Sequence, residues 1–589
     1  MSDQASEIPR PEDATERPEP AGQAEPSERP RTSGPAVSAA SVKGPLPESH
    51  GAAPEPQQVP IGTRPGGHRS PPNPRQYGKP QASVWSRLRP VGPTTIRSST
   101  LCSALATAIL SALLLGDGLG SNLLIVALPT ALAAFFAARA AGRRLRPWTA
   151  VWAVGGLALL VVPALRDAGW PTFLAVVSAV ALGSLALHSS RGWPGVLLGS
   201  LCLFSSVTDG VGWGARGVRE RMADSRGWLG AVLRTTAVAV VLLIVFGALF
   251  ASADAAFADV LGNLVPDVSV GEGLWRSLLF VVGLVGALAA AYTAAAPVHW
   301  DAITVRPGRA RGRLEWALPL MVLNLLFTAF LAVQLTVLLG GYDKVMAETD
   351  LSYSPYARQG FWQLLWATLL TLLVIALALR RAPRGRGSDR TLVRSVLGAL
   401  CLLTLVVVAS ALRRMDLYVE AYGLTRLRIS VAAVELWLGV VFVLIMIAGV
   451  RGARLLPRAV AASAAVAVLA FGLISPDGLI AEQNVQRYRD DHSIDIDYLQ
   501  GLSADAVPAL DTLPEPLRSC ALMEIERSLR ASDTPWYATS WSEARARDIL
   551  GERGSGDLAR VCQASRTGGG RDGDRGGDEG DPYDPYDPY

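Results

Sequence analysis

Between positions 99 and 474 the chain carries eleven runs of about 17–25 mainly apolar residues, each long enough for one α-helix to cross a bilayer's hydrocarbon. They lie near 99–115, 119–138, 148–164, 170–188, 228–251, 274–296, 316–339, 361–379, 392–412, 429–449 and 458–474. A water-soluble chain spreads its Leu, Val and Ala through shorter, periodic segments, because one face of each element meets water. Here half of the 589 residues are apolar, only 18% are charged, and the apolar ones are concentrated in these runs. The pattern predicts an all-α fold, a polytopic transmembrane helical bundle. A further apolar stretch, 193–205, is short for a bilayer and leaves the count open.

Charge placement can settle the threading, because cytoplasmic loops carry an excess of Arg and Lys. Lysine occurs only at Lys43, Lys79 and Lys344, so the signal rests on arginine. That bias, with abundant Ala, Gly and Pro, points to a high-GC genome such as an actinobacterium's. Arg139, Arg143, Arg144 and Arg146 mark one basic loop. Arg306, Arg309, Arg311 and Arg313 mark a second, and Arg380, Arg381, Arg384 and Arg386 a third. Segment 251–273 is the opposite, with Asp254, Asp259, Asp267 and Glu272 and no basic residue.

With the basic loops inside and the acidic one outside, the crossings agree only if 193–205 does not span. The expectation is about eleven spans, or twelve if 193–205 crosses and forces the Arg139–Arg146 loop outside. The N-terminus is then cytoplasmic and the C-terminus extracytoplasmic, in a multi-pass protein of a bacterial cell membrane. One loop breaks the rule. Arg413, Arg414, Arg426 and Arg428 fall outside by parity, as arginines do when they are committed to partners.

Four regions follow. Residues 1–95 form a Pro/Glu/Arg-rich cytoplasmic tail with too few large apolar residues to offset the entropy of ordering, so disorder is expected. They hold no apolar core with a cleavage site, so a signal peptide is not expected within them. Residues 96–474 are the transmembrane domain, 475–565 a small, mainly helical extracytoplasmic polar domain, and 566–589 a disordered acidic tail ending in three DPY repeats. Within the polar domain, helical segments are expected over Leu517–Leu529, opened by Pro514-Glu515-Pro516, and over Ser542–Leu550. Cys520 and Cys562, exposed to an oxidising exterior, could form a disulfide or remain two buried thiols. Cys102, Cys202 and Cys401 lie in apolar stretches and read as small core residues.

Three polar stretches stand out, and parity puts all of them outside. The first runs from Asp350 through Tyr353, Tyr356 and Arg358 into the span at 361. The second is Arg414-Met-Asp416-Leu-Tyr418-Val-Glu420-Ala-Tyr422-Gly423-Leu-Thr425-Arg426-Leu-Arg428. The third holds Asn484, Arg487, Asp497, Tyr498, Ser503 and Asp505. Tyr418 and Tyr422 are four apart and share a helix face, with Arg414 one turn before Tyr418. Gly423 suits the left-handed position that ends a helix. The spacing suggests an interfacial helix lying on the outer leaflet with its tyrosines among the headgroups. In one version of the site Arg358, Arg414, Arg426 and Arg487 pair with Asp350, Asp416, Glu420 and Asp497. In the other, Arg358, Arg414 and Arg426 bind an anionic lipid phosphate or a carboxylate through their guanidinium forks.

The YARQGFWQL, RRMDLYVEAYGLTRLR and NVQR…DIDYLQGLSADAVPAL stretches resemble the signatures of a bacterial membrane family known as a domain of unknown function (4173, with a near relative 4153). The resemblance covers roughly 100–508. It implies an integral membrane protein and carries no activity with it.

Inside the membrane Glu435 lies seven residues after Arg428, about 10 Å deeper on the same face. It reads either as a functional carboxyl or as the partner of an arginine reaching in from the interface. Asn324, Gln334 and Gln363 read as interhelical packing groups, and Arg234 as reaching back to the cytoplasmic side. No GxxxxGK[ST], HExxH or GxSxG motif occurs, no CxxC, and the five histidines are far apart. No catalytic residue, metal site, cofactor or nucleic-acid partner is assigned. The bilayer is the expected partner, with an anionic lipid or envelope component at the outer site. Two functions fit, a carrier and an envelope sensor or scaffold. The alternative is a membrane enzyme acting on a lipid-linked substrate at the outer leaflet.

Overall fold

The computed structural model describes residues 92–562 except 94, 145, 189, 225–227, 255–269, 304–310, 340–352, 384–386, 533 and 553–560. All of these belong to the second of two compact units, 78–589. Of the tails read as disordered, residues 1–91 of the first (1–95) and the whole of the second, 566–589 with its DPY repeats, lie outside the described residues, as does Asp350.

Every regular element described is helical. In chain order the first helices are α1 (Ser98–Leu114), α2 (Asn122–Ala140), α3 (Pro147–Leu159), α4 (Val162–Leu165), α5 (Gly169–His188), α6 (Trp193–Leu201), α7 (Val207–Asp224), α8 (Trp228–Ala253) and α9 (Val270–Ala295). Then come α10 (Arg313–Leu339), α11 (Tyr353–Arg381), α12 (Gly387–Tyr422), α13 (Arg426–Arg451) and α14 (Leu456–Leu473). The polar C-terminal part forms α15 (Pro476–Asp491), α16 (Ile496–Gln500), α17 (Val507–Leu510), α18 (Leu517–Ala531) and α19 (Trp541–Glu552).

Among the described residues nine helices are long and apolar enough to cross a membrane. They account for nine of the eleven predicted runs, α3 and α4 together making one of them. The other two runs are also helical, but the apolar helix is shorter: α1 has 17 residues, and in α8 the apolar stretch is Thr235–Gly247. Many large side chains of the spans face outward, as Phe173 at 70% and Leu325 at 69% exposure illustrate, while others such as Trp152 and Phe442 are buried between helices. The outward surface belongs against acyl chains. Small residues face inward as well: Ala104, Ala133, Ala137, Ala287 and Ala291 let α1, α2 and α9 approach closely.

The helices pack in three groups. One joins α1, α2, α7 and α9, a second α3, α5, α6 and α14, and a third α10, α11, α12 and α13, linked to the second through α13 and α14. Antiparallel packing of α1 and α9 sets Arg276 beside Asp117 at one end and Gly92 beside Tyr292 at the other. The end near Tyr292 is basic. There Arg143 donates to the carbonyls of Leu187 (3.2 Å) and Ala294 (2.5 Å), Arg458 donates to Ser190 O (2.9 Å), and Arg313 pairs with Asp389. The opposite end is covered by the C-terminal helices.

The doubtful stretch 193–205 falls in α6 and the 3-10 turn that follows it, and α6 and α7 are bent by 64°. Both ends of the bent pair lie at the basic end. Before α6, the Arg191 and Gly192 amides donate to Asp301 (2.8 Å each). Late in α7, Arg221 reaches the Ile96 carbonyl just ahead of α1.

One expectation needs correction. Residues 414–422 are not a separate interfacial helix; they are the last turns of α12, which runs unbroken for 36 residues. At 1.5 Å per residue that is about 54 Å, against roughly 30 Å of hydrocarbon. No glycine or proline interrupts the chain between Gly398 and Gly423, so nothing stops the helix at the interface. It ends at Gly423, whose φ of +76° carries the left-handed turn.

The C-terminal helices do not stand apart. Ile480, Val485, Leu499, Leu510, Leu522 and Ile525 form one apolar core that also takes in Leu424, with Val419 and Ile429 packed against it. The turn between α12 and α13 is thus part of the hydrophobic core beneath the polar helices.

Candidate functional site

After the last span the chain turns through Ser475 at φ +62°, and Pro476 starts α15. Asp477, in the first turn, suits the positive end of the helix. Its side chain is 0% exposed and faces Arg426, the first residue of α13. The guanidinium meets it as a fork, Nε to Oδ1 at 2.9 Å and Nη2 to Oδ2 at 2.5 Å. The Ser503 amide donates to Oδ2 (3.0 Å) and Trp170 Nε1 to Oδ1 (3.4 Å). Arg426 also donates from Nη2 to Gly501 O (2.9 Å), and its backbone N–H, unpaired within the helix, donates to the Tyr498 hydroxyl (2.7 Å). Burial alone would push the Asp477 carboxyl up; the Arg426 fork and charge and the Ser503 amide outweigh it and hold it below the ordinary carboxylate value. Burial pushes the Tyr498 hydroxyl above its ordinary value, against the opposing pull of Arg426.

A second clasp joins the turn between α4 and α5 to the segment before α17. Asp505 Oδ2 accepts the amides of Asp167 and Ala168 (3.0 Å each), while Asp167 Oδ2 accepts the Ala504 amide (3.0 Å). Each strand of chain thus supplies a carboxylate to the other's backbone. Arg166 lies 3.6 Å from Asp505 and donates to Leu473 O (2.6 Å). Asp167 is raised above the ordinary carboxyl value, first by burial, tempered by the Ala504 amide, and further by Glu543, Asp505 and Asp477.

A third contact grips the turn between α1 and α2. Tyr537 donates its hydroxyl to Asp117 Oδ2 (2.8 Å) and accepts at its carbonyl from the Asn122 amide (2.9 Å) and the Ser121 hydroxyl (3.1 Å). Arg276 completes the group, 3.2 Å from Asp117 Oδ1. Asn122 holds the turn itself, donating to Leu114 O and Gly118 O. A side chain at Gly120 would press on the Ala538 backbone, so the close approach needs glycine.

The structure gathers many of the residues singled out in the sequence, Ser503 in the hub and Asp505 in the second clasp among them. Arg426 and Tyr498 belong to the hub above. Arg428 lies 4.3 Å over the Tyr418 ring, which stacks at a tilt on Tyr422, and it donates to the carbonyls of Tyr422 and Gly423. Asn484 donates to Leu424 O (2.9 Å), and Arg487 to Ala421 O (2.7 Å). The arginines of the loop that breaks the charge rule are therefore engaged, but not as first paired. Arg426 takes Asp477, Arg487 takes a carbonyl, and Asp416 pairs with Arg413 (2.7 Å) on the exposed side of α12. Arg414 and Asp497 are each engaged by another group. Tyr353, Tyr356 and Arg358 begin α11, and their side chains lie outside the described set.

Glu435 sits apart, 0% exposed, inside the α13 span. Thr368 of α11 is 3.3 Å from its Oε1. No arginine meets it among the described residues, so the reading of Glu435 as an ion-pair partner is not what the structure holds. Arg428 turns instead to Tyr418 and the helix-end carbonyls. Cys520 and Cys562 are joined by a disulfide.

The family model described as Domain of unknown function (DUF4153) matches residues 153–513. The chain belongs to that family. The match is to 4153 rather than to its relative 4173, and it begins later than the motif resemblance did. The DUF4153 region contains the Arg426–Asp477 hub, the Asp167–Asp505 clasp and Glu435, whereas Asp117 and Tyr537 lie outside it. No match was found among curated proteins or among solved structures.

The residues missed in the sequence are Asp117, Arg166, Asp167, Asp477 and Tyr537. Only Asp477 left a readable signal, since Ser475-Pro476-Asp477 directly after the last apolar run marks a helix start.

Proposed function

We propose that the protein is an envelope scaffold of the bacterial cell membrane, threaded through it about eleven times, with its C-terminal helices as an outer domain. The orientation rests on charge: the basic end carries the Arg139–Arg146, Arg311–Arg313 and Arg380–Arg381 groups and so belongs in the cytosol. The N-terminus is then cytoplasmic and the C-terminus extracytoplasmic. The observation that carries the scaffold reading is the fully buried Asp477 in the Arg426 fork. Together with the Asp167–Asp505 exchange and the Asp117–Tyr537 contact, it commits the polar groups of this end to holding the outer domain rather than to an open binding site.

The test is a photoreactive residue at Trp536, which is 77% exposed on that domain, in living cells. A discrete adduct to one envelope component, lost in Asp477→Asn, supports the reading. Labelling of lipid alone, with unchanged growth under envelope stress on deletion, argues against it.

A second reading, a carrier, is favoured by polar groups inside the α10–α13 group. Besides Glu435 and Thr368, Asn324 donates to Val396 O (3.2 Å) and Ser410 donates to Gln334 (2.7 Å). A metabolite comparison between a deletion strain and its parent separates the two: a carrier shifts the level of a solute and a scaffold does not.

A further inference from the structure

The bonds around Glu435 can be counted. The Thr368 hydroxyl has one proton and two neighbours able to accept it, Leu364 O at 2.9 Å and Glu435 Oε1 at 3.3 Å. It serves one of them. If the proton goes to the carboxyl, the hydroxyl oxygen and the Leu364 carbonyl face each other at 2.9 Å with no hydrogen between them. If it goes to the carbonyl, the nearer acceptor, then Thr368 turns a lone pair toward Glu435. That contact is attractive only when Glu435 itself brings the hydrogen. Glu435 Oε2 meets no donor among the described residues, so an ionised carboxylate would hold its charge on one long bond.

Among the described residues no charged group on the elements around α13 is bonded to Glu435. On α13 itself Arg426 holds Asp477 and Arg428 lies on Tyr418. On α12 Arg413 holds Asp416, and Arg414 has an interaction of its own. On α14 Arg458 bonds to Ser190 at the basic end, and on α15 Asp477 is the partner of Arg426. From Phe361 to Leu379, α11 has no charged residue. Glu435 lies nine residues from the start of α13, about 14 Å along the helix. A carboxylate at that depth without a counter-charge is heavily disfavoured.

We propose that Glu435 is a proton-binding site within the membrane: it stands as a neutral carboxylic acid that donates to Thr368 Oγ1, while Thr368 donates to Leu364 O. This goes beyond the scaffold reading and is independent of it. The ligand proposed is a proton; among the described residues no group of three His, Cys, Asp or Glu side chains that could hold a metal ion is found. Glu435 is thus a place where one proton can be stored and released inside the α11–α13 packing, with Thr368 as its positioning residue.

The experiment uses the full chain in lipid nanodiscs. An infrared difference spectrum at pH 7 between wild type and Glu435→Gln should show the carbonyl stretch of one protonated carboxylic acid, and that band should move in Thr368→Val as its hydrogen bond is lost. A carboxylate band in its place, or one that responds to sodium, overturns the proposal. Where Glu435→Gln does not accumulate, the wild-type protein decides the matter with dicyclohexylcarbodiimide. A protonated carboxyl adds across the reagent's C=N bond, its proton passing to nitrogen and its oxygen to carbon, and the acyl group then migrates to nitrogen with nothing leaving. Mass spectrometry should find the peptide bearing Glu435 heavier by one whole reagent at pH 7. An ordinary glutamic acid would be protonated in only about two molecules per thousand at that pH. No adduct under conditions that label a control protonated carboxyl contradicts the proposal.

Discussion

Replacing Asp477 with Asn keeps the shape of the hub and removes its charge. The carboxylate accepts four bonds, two from the Arg426 fork, one from Ser503 N and one from Trp170 Nε1. Asn supplies one acceptor oxygen, and its NH2 group then faces N–H donors. Breaking a fully buried pair costs about 3–5 kcal/mol. Here Asp477 is 0% exposed but Arg426 is 40% exposed, so water relieves part of the loss on the arginine side. Discounted for that screening, about 2–3 kcal/mol remains, a shift of roughly 30- to 150-fold in the docking equilibrium. Hydrogen exchange of the Ser503 amide in nanodiscs reads it directly. Protection at Ser503 and its neighbours should fall by that factor, while amides deep in α12 and α13 stay unchanged. Equal protection in wild type and Asp477→Asn would mean that the pair does not hold the C-terminal helices, and the argument from burial would fail.

Two carboxyls of this end, Asp477 and Asp167, should respond to pH in opposite senses. Asp477 is held below its ordinary value of 3.8, so its contribution is present above that pH and is lost as pH falls through the folded value. Asp167 is raised above 3.8, so its contribution is present below that pH and is lost as pH rises through the folded value. Corrected for intrinsic exchange, protection at Ala504 should decline with rising pH in wild type and be flat in Asp167→Asn; parallel profiles would refute the assignment. Gly423→Ala places a side chain at φ +76° and against Asn484 Oδ1, and should destabilise by about 1–3 kcal/mol in thermal unfolding. Cys520→Ser opens a bond between residues 42 apart, and loop closure predicts a loss of about 4 kcal/mol, read as a lower midpoint for unfolding of α18 and α19.

The membrane helices were legible because their signal is one of length and composition, which the bilayer imposes locally. All eleven apolar runs are helices, and the bent pair α6–α7, which holds the short stretch 193–205, begins and ends at the basic end. Gly423 was legible for a similar reason, since a left-handed stop has few candidates. The pairings were not. Arg426 and Asp477 are 51 residues apart, and Asp167 and Ala504 are 337 apart, so only the path of the chain brings them together. The sequence offered nearer acids, Asp416 and Glu420, and both lie on the exposed side of α12. Asp117 and Tyr537 carried no motif at all. The helix over 414–422 was misjudged because charge suggested an interface, while the helix itself had no residue to end it before Gly423.

The account rests on the C-terminal helices clasping the outer end of the bundle, so the decisive measurement is sidedness. Single cysteines at Glu420 and Trp536, and at Arg144 and Arg311, all exposed positions, can be probed in intact cells with a membrane-impermeant maleimide against the wild-type background. The first pair should react from outside and the second only after the membrane is opened. Glu420 and Trp536 shielded in intact cells, with Arg144 labelled, would invert the orientation and remove the outer domain from the envelope.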